Sequence, residues 1–496
     1  MRIKVSFVLF VTIVFLLSCR DDFNSIQSSG NLTFSKDTVF LDTVFSNIGS
    51  ITYNLKVYNK SNKNITIPSV RLAKGEASYY RIQVDGKPGK IFNNIEILAK
   101  DSIFIFIETT INYNQVSNPI YIDEILFESE SYVQNVKLVT LVQDAHFLFP
   151  SKNAQGIIET ISIGESLKIN GFYFNNNVTF TNNKPYVIYG YAAVPENKTL
   201  TIEEGAKIYF HSNSGLIISK NATLKVEGTL SKKVVFEGDH LEHTFSNTPG
   251  QWGTIWLRSG SKNSSIKNAV IKNGTVGILS DSINSIINPA LTLKNVEIYN
   301  NSNFGILGRE TSIYGENVVV NNSGQSSLAC TIGGTYSFIH CTFTNFLNNG
   351  FREYPAVLIN NYFKSLSGNS NIIETRNLAV NFTNCIIDGN NNIEFLLDKV
   401  EGSAFNFKFS NNLLKFNDPN KTYANLPQYD FNNTTNYVGN ILNGNADFKS
   451  PSTNLLKIGV NSDAKNKASI NGTQQVPHDI LGILRSSPAD IGAYQH

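Results

Sequence analysis

The sequence contains few charged residues and almost no net charge. Only 16% of its 496 residues are charged, and 41 Lys plus Arg nearly balance 39 Asp plus Glu. A net charge of +2 does not attract nucleic acid or anionic lipid over a distance, so we predict no nucleic-acid partner. With 41% hydrophobic residues the chain can bury large cores, which excludes a solvated disordered protein.

Sulfur-containing residues are also scarce, whereas Asn is abundant. There are four Cys and one Met, against 65 Asn, 34 Gly, 33 Phe and 21 Tyr. Asn and Gly favour turns, and aromatic residues favour strands. The composition therefore predicts a turn-rich, all-β protein.

Residues 1–18 are typical of a secretion signal. Arg2 and Lys4 precede an apolar stretch from Val5 to Leu17. These thirteen residues would cover only about 20 Å as a helix, less than the ~30 Å hydrocarbon core of a bilayer, so a spanning helix is disfavoured. The stretch ends in Leu-Leu-Ser-Cys at Cys19, which resembles the lipobox of bacterial lipoproteins. The resemblance implies that Cys19 becomes the first mature residue and carries fatty-acyl chains such as palmitate. The alternative is an ordinary signal with an incidental Cys.

Residues 19–32 form the predicted lipidated tether. Asp21 and Asp22 follow Cys19 closely, and this acidic pair resembles the surface-export signal of Bacteroidetes-type lipoproteins. That resemblance implies an outer-membrane lipoprotein facing the cell exterior, attached to the membrane through its lipid anchor. The alternative is that the pair only keeps the tether solvated.

Residues 33–146 contain short runs of alternating apolar and polar residues separated by Asn, Gly and Lys. Such runs predict a β-sandwich. The run from Gly49 to Leu72 resembles Ig-like modules related to abnormal-spindle and major-sperm-protein domains. This resemblance implies an Ig-like spacer without catalytic residues.

Residues 147–450 repeat a turn residue followed by aliphatic or aromatic residues. The intervals between these turn residues are 27, 22, 23, 20, 24 and 27 residues, so one coil of about 22 residues predicts a parallel β-helix. Asn tolerates the left-handed backbone of a sharp corner, and its amide can bond to the next coil. The predicted ladder of turn residues is Asn268, Asn295, Asn317, His340, Asn360, Asn384 and Asn411.

This register also places the cysteines. Cys341 and Cys385 occupy equivalent positions, two coils and about 9.6 Å apart, which is beyond the reach of a disulfide. Cys330 has no evident partner either. We therefore predict free, buried thiols.

The repeat from about Tyr186 to Leu442 resembles the right-handed parallel β-helix proteins of the pectate-lyase-like superfamily. The segment Gly238 to Trp256 looks like a loop-and-strand motif found in such surface lipoproteins. In residues 451–496, the run Asp490 to Tyr494 resembles the terminal motif of secreted β-helix proteins, although Gln495 follows where that motif usually has an acid. The resemblance implies a closing segment that protects the last coil from pairing with another chain.

Candidate catalytic groups are sparse. No acidic residue recurs at the coil period beside a second acid, as a lyase or hydrolase on this fold would need. The sequence also lacks a Gly-Lys-Ser/Thr phosphate loop, a Cys-x-x-Cys pair and a Gly-x-Ser-x-Gly elbow. We predict no catalytic residue and no cofactor.

The run Asp239-His240-Leu241-Glu242-His243 is the densest group of metal-ligating residues in the chain. Two His three residues apart, with acids nearby, could hold a metal if the loop bends helically. The alternative is a structural loop between coils.

Four Asp-Ser/Thr-aliphatic triplets resemble the O-glycosylation sequon of Bacteroidetes envelope proteins. Strand sequences also produce such triplets by chance. The candidate acceptors are Thr38, Thr43, Ser102 and Ser282.

Three functions fit this sequence. The first is a non-enzymatic surface lipoprotein whose β-helix binds glycan, matrix or a protein partner. The second is a polysaccharide lyase or glycoside hydrolase of the pectate-lyase-like superfamily. The third is an accessory subunit of an outer-membrane protein complex. An aromatic stripe would favour glycan binding, and a broad apolar patch would favour a protein partner.

Overall fold

The structure, a computed structural model, describes residues 24–129, 131–281, 289–347, 352–367 and 370–496. The chain divides into two compact units, Met1–Gln143 and Asp144–His496. No helix within the described ranges is long and apolar enough to cross a membrane. The predicted signal peptide, Cys19, Asp21, Asp22 and Ser282 lie outside the described residues.

The first unit contains a 6-stranded and a 5-stranded sheet that share one hydrophobic core. The first sheet comprises Ile26–Gln27, Thr38–Phe45, Ile65–Leu72, Ile91–Ile97, Ile120–Glu128 and Val133–Gln143. The second comprises Thr33–Phe34, Tyr53–Tyr58, Tyr80–Val84, Lys87–Gly89 and Ser102–Thr109. Alternation drives this packing, since residues such as Leu55, Val57, Ile105 and Ile107 point inwards and are fully buried. The sandwich begins within the predicted tether, because Ile26 pairs with Ile65.

The second unit is built on a 26-stranded sheet whose strands stack in three parallel columns around one core. Column 1 contains His146–Leu148, Tyr186–Ile188, Lys207–Phe210, Val234–Gly238, Thr342–Asn345, Ile386–Gly389, Leu413–Leu414 and Ile441–Leu442. Column 2 contains Lys168–Tyr173, Tyr191–Val194, Gly215–Ile218, Ile255–Leu257, Val276–Ser280, Val357–Asn360 and Phe395–Asp398. Column 3 contains Val178–Phe180, Thr199–Glu203, Thr223–Glu227, Leu378–Thr383, Phe405–Ser410 and Tyr437–Val438.

Four longer strands continue around a corner from one column to the next: Ser264–Lys272, Leu291–Asn301, Phe304–Ser323 and Leu328–Ile339. Each coil therefore runs through columns 2, 3 and 1 in turn, and each strand pairs in parallel with its equivalents one coil away. The prediction of an all-β chain with a parallel β-helix is confirmed. Its interior is a packed core rather than a pore, because the inward side chains of all three columns are fully buried.

The remaining elements lie outside the three columns. They are the strands Thr160–Ser162, Tyr362–Ser367, Ser370–Thr375, Phe448–Ser450 and Leu455–Ile458, and the helix Ile470–Gln475. Short 3-10 helices occur at Gly75–Ala77, Tyr113–Gln115, His243–Phe245, Pro427–Tyr429 and Pro451–Thr453.

The predicted ladder holds at six of its seven positions and fails at Asn360. Asn360 ends a column 2 strand, and its backbone lacks the positive φ of the other six residues. His340 pairs with the coil of Asn384, so one coil separates them rather than two. The cause is the antiparallel hairpin Tyr362–Ser367 with Ser370–Thr375, which lengthens this coil until it resembles two.

Because of this hairpin, the predicted distance of two coils between Cys341 and Cys385 is wrong. Cys341 and Cys385 lie on adjacent coils, where the backbone N–H of Cys341 donates to Sγ of Cys385 at 3.4 Å. Both thiols and that of Cys330 are reduced and fully buried, as predicted. Burial raises the pKa of the Cys341 and Cys330 thiols well above the ordinary value, so they stay protonated and unreactive.

The C-terminal segment lies along the side of the coils and not over the last one. Its residues Ile480, Ala493 and Tyr494 pack against Tyr299 and Val319 on the outer face of column 1. Aromatic rings from residues 416–437, among them those of Phe416, Tyr423, Tyr429 and Phe431, pack instead on the far end of the core. The outer face of column 1 carries apolar side chains there, and a chain that returns along it buries them.

Candidate ligand-binding cleft

A second asparagine ladder lies at the corner between columns 1 and 2. Asn273, Asn300 and Asn322 have φ values of +67°, +56° and +55°. The amide of Asn300 donates to Oδ1 of Asn273 at 3.5 Å, and that of Asn322 donates to Oδ1 of Asn300 at 3.3 Å. Asn is suited to this position because it tolerates the left-handed backbone and bonds along the stack.

This second ladder was not among the predicted site residues, although the sequence contains a signal for it. Asn273, Asn300 and Asn322 each follow a residue of the first ladder by five positions. That spacing equals one column 1 strand plus its two corners. An Asn-x4-Asn pattern that recurs in three successive coils would have predicted both corners.

A cleft of about 630 Å³ opens beside this second ladder; we call it the corner cleft. Its lining is formed by Asn247, Pro249, Asn300, Asn301, Ser302, Asn322, Gly324, Phe346, Leu347, Ser452, Thr453 and Asn454. These lining residues carry amides, hydroxyls and apolar groups, and none of them is ionisable. The cleft therefore offers hydrogen bonds and apolar contacts but no charge.

One wall of the corner cleft is the loop of residues 239–251. Nε2 of Gln251 donates to the carbonyl of Phe245 at 2.7 Å, which folds the loop back on itself. Nδ2 of Asn273 donates to the carbonyl of Ser246 at 3.1 Å, and Nδ2 of Asn300 donates to Oδ1 of Asn247 at 3.1 Å. The second ladder therefore holds the loop in place as a wall.

A second wall comes from the C-terminal segment. Asn454, with φ +64°, ends the 3-10 helix Pro451–Thr453. Its Nδ2 donates to Oδ1 of Asn300 at 3.2 Å, and its Oδ1 accepts from Nδ2 of Asn322 at 2.9 Å. Three distant segments therefore meet at one set of amides, and this convergence makes the cleft.

Some hydrogen-bonding groups of the corner cleft are engaged and others are not. The side-chain N–H groups of Asn300, Asn322 and Asn454 donate to protein acceptors. In contrast, the buried Oδ1 of Asn322 and both Oδ1 and Nδ2 of the buried Asn301 find no partner among the described residues. An unsatisfied buried polar group costs about 1–3 kcal/mol, so the cleft favours a ligand that both donates and accepts hydrogen bonds.

An aromatic side chain completes the lining. Phe346 is half-buried and packs edge-on against Phe448, with ring centroids 5.9 Å apart. Leu347 and Pro249 add further apolar surface. A rigid ring beside a row of amides is suited to a ligand that has both a polar edge and an apolar face.

The four metal-ligand candidates do not form a metal site. The nearly buried Asp239 bonds to Nδ1 of His211 at 2.8 Å, and Nδ1 of His240 lies 3.4 Å from Glu242. His243 begins the 3-10 helix His243–Phe245. Across the described ranges, no group of three or more His, Cys, Asp or Glu side chains is arranged to hold a metal ion. The physical reason is that these carboxylates bond to imidazoles within the wall loop and the coil before it, which fits a structural loop.

The pKa of His240 reflects this arrangement. The hydrogen bond to Glu242 raises the pKa of His240, burial opposes that shift, and the carboxylates of Asp239 and Glu242 add to it. His240 also stacks on Phe245, with ring centroids 4.7 Å apart. These contacts stiffen the base of the wall loop.

Many acids of the coils are bound to basic side chains. Examples are Glu237 with Lys272 at 2.7 Å and Glu297 with Lys233 at 2.5 Å. Further pairs include Glu316–Lys294, Asp281–Arg309, Glu374–Arg376, Asp388–Lys415 and Glu394–Arg352. These acids therefore have a structural partner within the β-helix.

Arg352 and Asp388 are each paired with an opposite charge. Arg352 and Glu394 form a two-pronged ion pair, with both side chains almost fully buried. Burial raises the pKa of Glu394 and the contact with Arg352 opposes that shift. Either charge without the other would be buried and unpaired, which is costly, so the pair is strongly favoured. It joins the loop before Val357–Asn360 to the next coil.

The first ladder is covered by the C-terminal segment. Nδ2 of Asn295 donates to Asn268 at 3.0 Å, and Nδ2 of Asn317 donates to Asn295 at 2.9 Å. The next coil has His340 instead of an Asn, so no ladder amide donates to Oδ1 of Asn317. Arg485 donates to this oxygen instead, at 2.8 Å. This ladder is therefore a structural seam.

His340 is held neutral within that seam. It is fully buried, its Nε2 accepts from Nδ2 of Asn384 at 2.9 Å, and its Nδ1 lies 3.3 Å from the carbonyl of Gly492. Burial lowers the pKa of His340 well below its ordinary value, and the positive charge of Arg485 lowers it further. Asn384 also accepts from the backbone N–H of Ser469 at 2.7 Å.

The described glycosylation candidates lie on strands of the sandwich. Thr38 and Thr43 are half-buried on Thr38–Phe45, which is the edge strand of the first sheet. Ser102 begins Ser102–Thr109 beside the exposed Asp101. Their modification stays a prediction.

Comparison with known proteins supports the β-helix. Residues 171–279 match the family described as "Pectate-lyase like beta helix domain", so this part of the chain is similar to that family. No curated protein matches the chain. Among solved structures, a family 123 glycoside hydrolase from Clostridium perfringens, studied for glycolipid glycan hydrolysis, shows 9% identity and a TM-score of 0.17. That match covers 24% of this chain and 29% of the hydrolase chain, and a likeness of this size does not bear on fold or activity.

Proposed function

We propose that this protein is a non-enzymatic lipoprotein of the outer-membrane surface that binds a glycan in the corner cleft. The observation that carries the proposal is the meeting of ladder amides, hydroxyls and one fixed phenyl ring around about 630 Å³. Sugars combine hydroxyl edges with apolar C–H faces, and this lining offers a partner for each. Ligand sites of this kind are concave, with few well-placed polar groups.

The absence of catalysis in this proposal rests on the carboxylates. Glycoside hydrolysis needs two acids that flank the scissile bond and are free to exchange protons. Glu237, Glu297 and Asp281 are each engaged with Lys or Arg. None of these acids lines the corner cleft.

The test of glycan binding is an array probed with the full-length protein solubilised in detergent. We expect binding to a restricted set of glycans, and we expect Phe346→Ala to lose it because the stacking surface is gone. Asn295→Gly is the matched control, since it alters the first ladder and leaves the corner cleft unchanged. A blank array for the wild type, or equal binding by Phe346→Ala, would contradict the proposal.

The proposed location on the outer-membrane surface rests on the lipobox at Cys19 and the acidic pair that follows it. Cys19→Ala removes the acylated residue, so we expect the protein to move from the membrane fraction to the soluble fraction. Membrane attachment that survives this change would contradict the lipoprotein assignment. Replacing Asp21 and Asp22 by Asn should keep the protein on membranes but reduce its cleavage by protease added to intact cells.

A second function, an accessory subunit of a membrane complex, is favoured by an apolar patch on the first sheet. Phe40, Ile122 and Ile120 are 67%, 49% and 48% exposed. Phe40 and Ile122 flank Val139 on the neighbouring strands, so they form one continuous surface. If the patch binds a protein, a stoichiometric partner that co-purifies from detergent-solubilised membranes should be lost in Phe40→Ser.

A further inference from the structure

We infer that the ligand of the corner cleft is an uncharged glycan that donates hydroxyl hydrogen bonds, and not an acidic polysaccharide. This inference rests on the proposed function and narrows it to one class of ligand. Three features of the cleft carry it: the state of its hydrogen-bonding groups, its charge and its apolar surface.

The hydrogen-bonding groups favour a ligand that both donates and accepts. The amides of Asn300, Asn322 and Asn454 already donate to protein acceptors. The buried Oδ1 atoms of Asn322 and Asn301 still lack a donor, and Nδ2 of Asn301 lacks an acceptor. A hydroxyl both donates and accepts and can therefore satisfy either kind of group, whereas an ionised carboxylate can only accept.

The lack of charged side chains in the lining also favours an uncharged ligand. A carboxylate or sulfate that enters the cleft loses hydration and needs a cation in return. The lining offers none. Lys272, which precedes Asn273 in the chain, is already bound to Glu237 at 2.7 Å, and Lys233 is bound to Glu297 at 2.5 Å.

The apolar surface fixes the orientation of the ligand. Phe448 holds the ring of Phe346 edge-on, and Pro249 and Leu347 add apolar surface to the lining. A sugar ring placed against Phe346 can turn a hydroxyl towards Asn322 and present its C–H face to the phenyl ring. Neutral hexoses have such faces in most of their common forms.

The experiment compares the binding of neutral and acidic polymers to the full-length protein solubilised in detergent. The neutral set is galactan, mannan and xyloglucan, and the acidic set is polygalacturonate, alginate and heparan sulfate. Each is measured in 1 mM calcium and in EDTA, because a calcium-bridged uronate would bind only in the first. We expect binding to members of the neutral set alone, with the same affinity in both buffers.

Two variants connect the result to the site. Asn322→Gly keeps the positive φ without strain and removes the acceptor, so binding of the neutral glycan should weaken at least tenfold. Asn295→Gly makes the same substitution in the first ladder and should bind as the wild type does. Circular dichroism melting of both variants confirms that they are folded.

The outcomes separate the two proposals. Binding confined to the acidic set would overturn this inference and leave glycan binding intact. Wild-type protein that binds neither set would overturn the proposed function together with the inference. Neutral binding that Asn322→Gly does not weaken would remove the corner cleft as its location, and the inference would fail.

Discussion

The two asparagine ladders of the β-helix use the same residue for the same backbone reason, yet their surroundings differ. In both ladders the Asn residues have φ near +50° to +67° and bond along the stack. Along the first ladder, Asn317, His340 and Asn384 are bound to residues of the C-terminal segment and are buried. Along the second ladder, Asn300 and Asn322 are also nearly buried and bond to Asn454, but they line the uncharged corner cleft. The first ladder borders a smaller cleft of about 480 Å³ whose lining includes charged side chains such as Lys294, Glu316 and Asp479. The returning chain therefore decides which groups surround the ladder amides at each corner.

The C-terminal segment makes this difference. It runs closely along the first ladder and inserts Arg485 into it. At the second ladder it contributes Asn454, which bridges Asn300 and Asn322 and leaves one acceptor unsatisfied. The same repeat therefore builds both the first ladder and the corner cleft, and the contacts of the C-terminal segment make the two corners different.

The largest expected effect is at Asn317, the centre of the seam. Asn317→Ala removes the side-chain amide that lets Asn tolerate φ +51°, at a cost of up to about 1–2 kcal/mol. It also leaves the buried Arg485 without its short acceptor, at about 1–3 kcal/mol more. We expect a clear fall in the melting temperature of the second unit by calorimetry. Asn317→Gly should recover the backbone part of the loss. Equal melting of the wild type and Asn317→Ala would contradict the seam.

The next largest effect is a pH dependence of the stability of the second unit, which arises from His340. Its pKa is lower in the folded protein than in the unfolded chain, so the folded state binds fewer protons and stability falls as the pH drops below about 6.5. The slope should approach about 1.4 kcal/mol per pH unit until the folded pKa is reached. Arg485 faces His340 with its positive charge, and Asp479 and Asp490 lie near Arg485.

His340→Asn is the control for that slope. It restores the residue found at the other ladder positions and removes the titrating group, so denaturant melts at pH 5 and 7.5 should differ less than those of the wild type. The same pH slope in both proteins would show that His340 does not control it.

A smaller stability effect is expected at Asn322 in the second ladder. Asn322→Ala incurs the same backbone cost of about 1–2 kcal/mol at φ +55°, but no charged group depends on its side chain. Calorimetry should therefore place its melting temperature between those of the wild type and Asn317→Ala. A loss as large as that of Asn317→Ala would remove the distinction between the two ladders.

The smallest effect is expected at the end of the first ladder. The side chain of Asn411 donates a long bond of 3.4 Å to the carbonyl of Lys467 and is half-buried. Asn411→Gly keeps φ +54° accessible, so we expect a change within about 0.5 kcal/mol by denaturant titration. A loss above about 1 kcal/mol would mean that the seam extends to the last coils.

The sequence predicted the β-helix and most of the first ladder because both depend on local periodicity. The prediction for Asn360 was wrong because the hairpin at residues 362–375 lengthens one coil until its sequence resembles two coils. The corner cleft could not be predicted in this way. It needs Asn247, Asn300 and Asn454 together, and contacts across 53 and 154 residues leave no local pattern. Burial of Arg352 with Glu394 escaped prediction for the same reason, since their 42 residues of separation hide the pairing.

The division between a structural seam and a binding site is tested most sharply by calorimetric titration of one glycan identified on the array into Asn322→Gly and Asn317→Gly. Both substitutions remove a ladder side chain at a position with positive φ, and both keep the backbone accessible. We expect at least tenfold weaker binding for Asn322→Gly, and wild-type affinity with a lower melting temperature for Asn317→Gly. Unchanged binding by Asn322→Gly together with lost binding by Asn317→Gly would refute this division.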